Sequence, residues 1–295
     1  MPASPALARL AVAAALWSAT ALAQGTPGLS LANFIEVGDG VTDMFSSSGL
    51  TLSALQVGSV GHREARLQRA SIPAWTPDDE TQTVENPCPG GGSVSISTTD
   101  ADGSGDLTAG DRFATVFKSC AVDGGIMTGR SGFVVSAHRF EGNTEVAEFD
   151  FHCEDLGTAD LRWSGFAHLA LRSDLKRGTQ HYRVTYRDLA VTHGTRRMRW
   201  NFILDVVRPP IGSGVAGLEG EARIDGIHLT LRQDEVFVVS GDGLPTSGQV
   251  TAYDDHGARL QVEAGRRRYA YRLFLAGNPG TAPDAATPGR TYPER

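Results

Sequence analysis

Four segments in the middle of the chain decide its fold class: VAEFDFHC (Val146–Cys153), LRWSGFAHLALRS (Leu161–Ser173), TQHYRVTYRDLAVTH (Thr179–His193) and RMRWNFILDVV (Arg197–Val207). In each segment apolar and polar side chains alternate over much of the length, which is typical of strands with one buried face. Clusters of Gly, Asp and Asn separate the segments at short intervals, and no helical periodicity of useful length interrupts them. The sequence therefore predicts an all-β fold, either an antiparallel sandwich or a strongly curved sheet that forms a partial barrel.

The first residues have the pattern of a secretory signal peptide. Arg9 provides a positive charge, an apolar run follows, and Ala21–Ala23 ends in the small-residue motif that precedes signal cleavage. A membrane anchor is the alternative, but the apolar run is shorter than the ~20 residues that cross a bilayer. We therefore predict a signal peptide over 1–23 and a periplasmic or secreted protein with no membrane span.

The remaining chain divides by composition. Residues 24–87 are predicted to be an N-terminal segment that is partly irregular, because Pro and acidic residues interrupt its apolar runs. Residues 88–277 are predicted to form the β-rich domain, which a break near 208–216 would divide into two similar halves. The segment 278–295 is rich in Pro, Ala and Gly and has little to bury, so we expect a disordered tail.

The charge of the chain limits its partners. With 27 Lys and Arg against 34 Asp and Glu, the net charge is −7, which argues against nucleic acid and anionic membranes. One basic stretch, GRRRYAYR (Gly265–Arg272), has two interpretations. Its arginines either protect a terminal strand from edge pairing or contact an anion or polysaccharide. A protein or polysaccharide partner is therefore retained as a hypothesis.

Three cysteines predict one disulfide and one free thiol in an oxidising compartment. Cys153 follows Phe149 and Phe151 on the apolar face of a predicted strand, so we expect it to be a buried, free cysteine. Cys88 and Cys120 lie at segment ends among turn residues, where the backbone is free to bring them together. The predicted bridge is Cys88–Cys120.

The segment DADGSGDLTAGD (Asp100–Asp111) places oxygen-bearing side chains at alternate positions around Gly105. A hard cation such as calcium needs this arrangement, because a tight loop turns alternate residues toward one centre. Leu107 is predicted to fix the loop to the core. The candidate calcium ligands are Asp100, Asp102, Ser104, Asp106 through its backbone carbonyl, and Asp111.

This segment resembles the twelve-residue calcium loop of the EF-hand. It differs in ending on Asp111, which is shorter than the usual glutamate, and in having strands as flanks. An acidic turn without an ion and a site for another cation are the alternatives.

The wider frame from Cys88 to Cys120, with its Gly-rich start and F-x-x-C end, resembles uncharacterised β-rich exported proteins of Gram-negative bacteria. That resemblance implies a fold and no activity.

The strongest constellation for catalysis is Glu148, Asp150 and His152 on one strand face. A carboxylate beside an imidazole can act as a general base, although a solvated outer face explains the same pattern. The first functional hypothesis is accordingly an exported, non-catalytic binding or structural protein with a weak calcium loop. The second is a periplasmic carrier that encloses an apolar ligand in a half-barrel, and the third is a hydrolase that uses the Asp150/His152 face.

Overall fold

A computed structural model of the chain describes residues 26–45, 81–122, 125–240, 245–265, 268–278, 280 and 282–291. The predicted signal peptide and most of the predicted N-terminal segment therefore lie outside the described residues.

Within the described residues the chain forms one antiparallel sheet of fourteen strands, arranged in the same order as in the sequence. The strands are β1 Thr81–Pro87, β2 Ser93–Thr99, β3 Arg112–Val122, β4 Gly125–Glu141, β5 Thr144–Gly157, β6 Leu161–Asp174, β7 Thr179–His193, β8 Arg196–Arg208, β9 Gly214–Ile224, β10 Ile227–Val239, β11 Pro245–Asp254, β12 Arg259–Gly265, β13 Arg268–Phe274 and β14 Ala285–Thr291. The predicted all-β class is confirmed. The arrangement is a single open sheet with β1 and β14 as its edges, and the part of the chain that the structure describes contains no second sheet of a sandwich.

One face of the sheet, called the inner face, carries the core. A row of apolar side chains runs directly across six strands, because each residue is the register partner of the next. The row consists of Val135, Phe149, Leu169, Val184, Leu204 and Leu218. The opposite, outer face exposes the alternate residues, such as Asp150 and His152 on β5. Alternation along the strands thus puts the apolar set on one side, as the sequence predicts.

Several strands contain β-bulges, which bend a strand and increase its twist. In β5 the bulge is at Asp155, which has φ of 50°, and it interrupts the register with both neighbouring strands. Gly129 of β4 lies beside it with φ of 93°, and a Cβ there would overlap the Asp155 carbonyl oxygen. Only glycine fits that position. Ser119 in β3 and Asp188 in β7 also have positive φ at register shifts.

A helix, α1, covers part of the inner face. Its described residues are 34–45. The Phe45 ring lies 4.3 Å from the Phe237 ring of β10, and Gly38 lies against Tyr271 of β13. The sequence prediction of a partly irregular segment did not include this helix. In the described part of the chain, no helix has the length and the apolar character needed to cross a membrane.

Two predicted boundaries need correction. The predicted disordered tail is wrong for Ala285–Thr291, which forms β14 and pairs with β13. The sheet also extends into the predicted N-terminal segment, since β1 begins at Thr81. The strands on either side of the expected break, β8 and β9, pair directly with each other, so the sheet is continuous through 208–216.

Candidate functional site

The acidic loop of residues 100–111 connects β2 to β3. The Asp100 carboxylate organises its first half, because Oδ1 accepts hydrogen bonds from the backbone of Asp102 (3.2 Å) and Gly103 (2.8 Å). Its Oδ2 accepts a third from the Gly105 backbone at 2.7 Å. Gly105 has φ of 71°, in the left-handed region that favours glycine. The chain therefore wraps around the carboxylate of its first acidic residue.

Three carboxylates converge in this loop. Asp100, Asp102 and Asp111 each offer an oxygen, and these oxygens all lie within 4.8 Å of one another. Asp111 is buried, at 4% exposure, and accepts hydrogen bonds from the backbone of Ala101 (2.9 Å) and Thr108 (2.7 Å). The hydrogen bonds that Asp102 accepts from the side chain and backbone of Ser104 lower the pKa of Asp102. The loop thus holds several negative charges close together.

The other two predicted ligand atoms are also neighbours. The Ser104 hydroxyl lies 3.2 Å from the Asp106 carbonyl oxygen, to which it donates a hydrogen bond. The same hydroxyl accepts from the Asp106 backbone N–H at 3.2 Å. Ser104 and Asp106 therefore present their predicted ligand oxygens side by side.

The second half of the loop is fixed to the sheet. Leu107 packs against the core, as the sequence predicts. Val135 of β4 makes two backbone hydrogen bonds with the loop, accepting from Gly110 (2.8 Å) and donating to Asp111 (2.9 Å). His138, also on β4, places Nδ1 2.7 Å from the Leu107 carbonyl oxygen. These contacts fix the second half of the loop to β4.

His138 belongs to the site, but the sequence analysis did not identify it. Its second ring nitrogen, Nε2, lies 3.1 Å from a carboxylate oxygen of Glu145 on β5. The alternation along β4 predicts which face His138 takes. Only the pairing of β3 with β4 shows that this face lies beside the loop. No local motif connects residues that are 31 positions apart in the chain.

The predicted disulfide is present. Cys88 and Cys120 are bonded, with their Cα atoms 5.3 Å apart, and Cys153 is free and buried. Backbone hydrogen bonds between Ala121 and the turn at Gly90–Gly91 run beside the bridge. The bridge therefore closes the span that contains the acidic loop.

The carboxylate–imidazole pair expected on β5 is not formed between Asp150 and His152. Asp150 instead pairs with His168 of β6, at 2.9 Å to Nδ1. The His152 ring packs at a tilt against the exposed ring of Phe166, with the ring centroids 4.9 Å apart. Side chains two residues apart share a face but are separated along the strand, so cross-strand neighbours take their places. The structure does not bring together the pair that the hydrolase hypothesis requires.

Of the basic stretch, the structure describes Gly265, which ends β12, and Arg268–Arg272 on β13; both are interior strands of the sheet because β14 lies outside them. Arg272 forms an ion pair with Glu263 at 2.7 Å. The idea that these arginines protect a terminal strand is therefore wrong for the described ones, Arg268 and Arg272, while the rest of the stretch lies outside the described residues. Comparison of the chain with protein-family models, curated proteins and solved structures found no match.

Proposed function

We propose that this chain is an exported, non-catalytic β-sheet protein whose acidic loop binds calcium and is stabilised by it. The ligands are Asp100, Asp102, Ser104, the Asp106 carbonyl and Asp111. The observation that carries the proposal is the convergence of three carboxylates within 4.8 Å. A disulfide among the described residues supports a periplasmic or secreted location, because such bridges persist in oxidising compartments.

The spacing of the oxygens fits one calcium ion. Calcium binds oxygen at about 2.3–2.6 Å, so ligands on opposite sides of the ion lie about 5 Å apart and adjacent ligands lie closer. The carboxylate oxygens, all within 4.8 Å of one another, fall within the spacing of ligands on opposite sides of the ion. The 3.2 Å between the Ser104 hydroxyl and the Asp106 carbonyl oxygen suits adjacent ligands. Asp100 Oδ2 and Asp111 Oδ2 each accept one backbone N–H and keep a second lone pair for an ion, whereas Asp100 Oδ1 already accepts two backbone N–H groups.

The expected effect on the protein is structural. Calcium would cancel the repulsion among the loop carboxylates, and the disulfide and the β4 contacts reduce the entropy lost on binding. Asp111 is one methylene shorter than the usual glutamate, so we expect a Kd in the extracellular range of about 10⁻⁴–10⁻³ M. Millimolar calcium would then add on the order of 1 kcal/mol to the free energy of unfolding.

Thermal melts in millimolar calcium and in chelator test this proposal. The variant Asp100→Asn with Asp102→Asn removes two charges. The single amide oxygen at 100 can keep the bonds from Asp102 and Gly103, while the bond from Gly105 is lost. The matched control is Glu219→Gln with Glu235→Gln, which removes two exposed charges on β9 and β10. We expect a calcium-dependent rise in Tm in the wild type and the control but not in the loop variant. Equal wild-type melts in calcium and chelator contradict the proposal.

A carrier for an apolar ligand is the second candidate function. Supporting it, Val84 and Ile96 extend the inner face to the β1–β2 end of the sheet, where they are 48% and 40% exposed. Half-buried Phe113 and Phe133 lie beyond them on the same face. Binding of a fluorescent apolar probe tests this candidate. Val84→Ser with Ile96→Ser should lower the affinity, and unchanged probe binding argues against it.

A further inference from the structure

The two edge strands of the described sheet differ in how they are protected from pairing with another chain. Proline, bulges and unpaired charges protect the edges of natural sheets. Strand β14 has Pro288 and Gly289, and its pairing with β13 contains a register shift. Strand β1 pairs with β2 without a register shift, and its only proline is its last residue, Pro87. Among the described residues no strand lies on the other side of β1, which is called its open side.

One hydrogen bond assigns the backbone groups that point to the open side of β1. The Cys88 N–H donates to the Gly92 carbonyl at 3.1 Å, so Cys88 directs its polar groups to the β2 side. In an antiparallel pair, residues alternate between bonding to the neighbouring strand and pointing away from it. Pro87 agrees with this assignment, because it has no N–H to donate. The N–H and C=O groups on the open side therefore belong to Thr81, Thr83 and Glu85.

The side chains of these three residues are held by neighbouring strands and leave the open side clear. The hydroxyls of Thr81 and Thr83 lie within 2.9 Å of hydroxyls on β2. Glu85 accepts hydrogen bonds from Ser93 at 2.7 Å and from Lys118 at 3.2 Å. The one charged residue of β1 thus already has a cationic partner and does not protect the edge.

We infer that β1 pairs antiparallel with the β1 of a second copy of this chain, about a two-fold axis at Val84. In this register Val84, which is 48% exposed, lies opposite its own counterpart, and the apolar inner faces of the two sheets become continuous. Glu85 lies opposite Thr83, and Gln82 lies opposite Asn86. No like charges meet across the axis, and cross-strand pairs of this kind stabilise a sheet.

Two other arrangements of the edges fit less well. A two-fold axis at Thr83 also pairs the backbone groups of the open side, but it places Val84 opposite the polar Gln82. Pairing of β1 with β14 of a second copy would be head-to-tail, and such contacts continue into open fibres unless they close into a ring. It would also bring Pro288 of β14 to the contact. The two-fold axis at Val84 is therefore the arrangement that the side chains favour.

Sedimentation of the full protein over a concentration series tests the pairing. Contact through one seven-residue strand is small, so we expect a weak dimer whose population rises with concentration. Thr83→Pro removes an N–H that points away from β2, so the far-UV circular dichroism should stay the same while the dimer is lost. Thr83→Ala is the matched control, because it loses the same hydroxyl contact with Ser97 but keeps the N–H. It should dimerise like the wild type.

Two sedimentation results overturn the inference. One is a wild-type monomer at every concentration, which would mean that another segment or another partner covers the edge. The other is a dimer that persists in a folded Thr83→Pro variant, which would place the contact elsewhere on the molecule.

Cysteine cross-linking tests the register without changing the backbone. Opposite residues of a non-hydrogen-bonded antiparallel pair have Cα atoms about 4.5 Å apart, a distance that a disulfide spans. Val84→Cys should therefore form a disulfide-linked dimer on mild oxidation. Ile96→Cys is the matched control, because it lies on the same face at 40% exposure but one strand away from the contact, and it should stay monomeric. Equal cross-linking of both variants, or cross-linking of neither, overturns the inference, and preferential cross-linking of Thr83→Cys overturns the position of the axis.

Discussion

The Asp254 carboxylate links residues 26–45 to the turn between β11 and β12, so its replacement should destabilise the fold. Its Oδ1 accepts the backbone N–H groups of His256 (3.0 Å) and Ala258 (2.8 Å), and its Oδ2 accepts that of Leu29 (2.8 Å). The bonds to Leu29 and Ala258 are buried. Replacement by alanine leaves two buried donors without partners, each costing about 1–3 kcal/mol, so the free energy of unfolding should fall by about 2–6 kcal/mol.

Asparagine at position 254 separates the hydrogen bonds within the β11–β12 turn from the hydrogen bond with Leu29. Its single side-chain oxygen can serve the turn, while its amide group faces the Leu29 N–H and cannot accept from it. Asp254→Asn should therefore lose only the hydrogen bond from the Leu29 N–H and cost about 1–3 kcal/mol. The control is Asp255→Ala, which removes an exposed partner of His228 and should cost less than about 1 kcal/mol.

Urea denaturation at fixed pH and fixed calcium concentration measures the loss in the free energy of unfolding for each of the three variants. The expected order is alanine at 254, then asparagine at 254, then alanine at 255. If Asp254→Ala costs no more than Asp255→Ala, the hydrogen bonds that Asp254 accepts do not stabilise the fold, which contradicts the prediction.

Two further predictions follow from pKa shifts. The hydrogen bond to Asp255 raises the pKa of His228, so this contact stabilises fully below the unfolded value of about 6.5 and is lost as the pH rises through the folded pKa. Urea denaturation should show a larger loss for His228→Gln at about pH 6 than at about pH 8.5, and equal losses contradict it. Burial raises the pKa of Cys153 to about 12, so a thiol reagent at neutral pH should label it only after unfolding. Rapid labelling of the native protein argues against this burial.

The features that the sequence predicted correctly are those set by short-range patterns. Phe149, Phe151 and Cys153 are buried while Asp150 and His152 are exposed, because period-two alternation fixes which face each side chain takes. The Cys88–Cys120 bridge and the packing of Leu107 also follow from local chemistry. The calcium loop remains a prediction, although its carboxylates do converge.

The features that the sequence did not predict depend on partners far away in the chain. Strand β14 contains Pro288 and Gly289, which suggest a loop, yet an edge strand tolerates proline and Gly289 fits against the ring of Tyr271. His138 joins the acidic loop only through the pairing of β3 with β4. In each case a tertiary contact overrides the local propensity.

The substitution Gly38→Ala in helix α1 tests whether a tertiary contact overrides local propensity, because the two predict opposite signs for the change in the free energy of unfolding. Ala exceeds Gly in helix propensity by about 1 kcal/mol, so propensity alone predicts that Gly38→Ala stabilises the protein. The added Cβ would lie 2.7–2.8 Å from the Tyr271 ring. That ring is fully buried and its hydroxyl bonds to Asp39, so it cannot move freely. Overpacking costs about 1–3 kcal/mol, and we expect net destabilisation.

The control is Ile35→Ala, at a position of α1 that is 45% exposed, where propensity acts without such a contact. Its effect on the free energy of unfolding should stay within about 0.5 kcal/mol. A double-mutant cycle with Tyr271→Leu identifies the cause, because removal of the ring should make Gly38→Ala less costly than in the wild-type background. Stabilisation by Gly38→Ala in the wild type would mean that propensity, and not the contact with Tyr271, governs this helix.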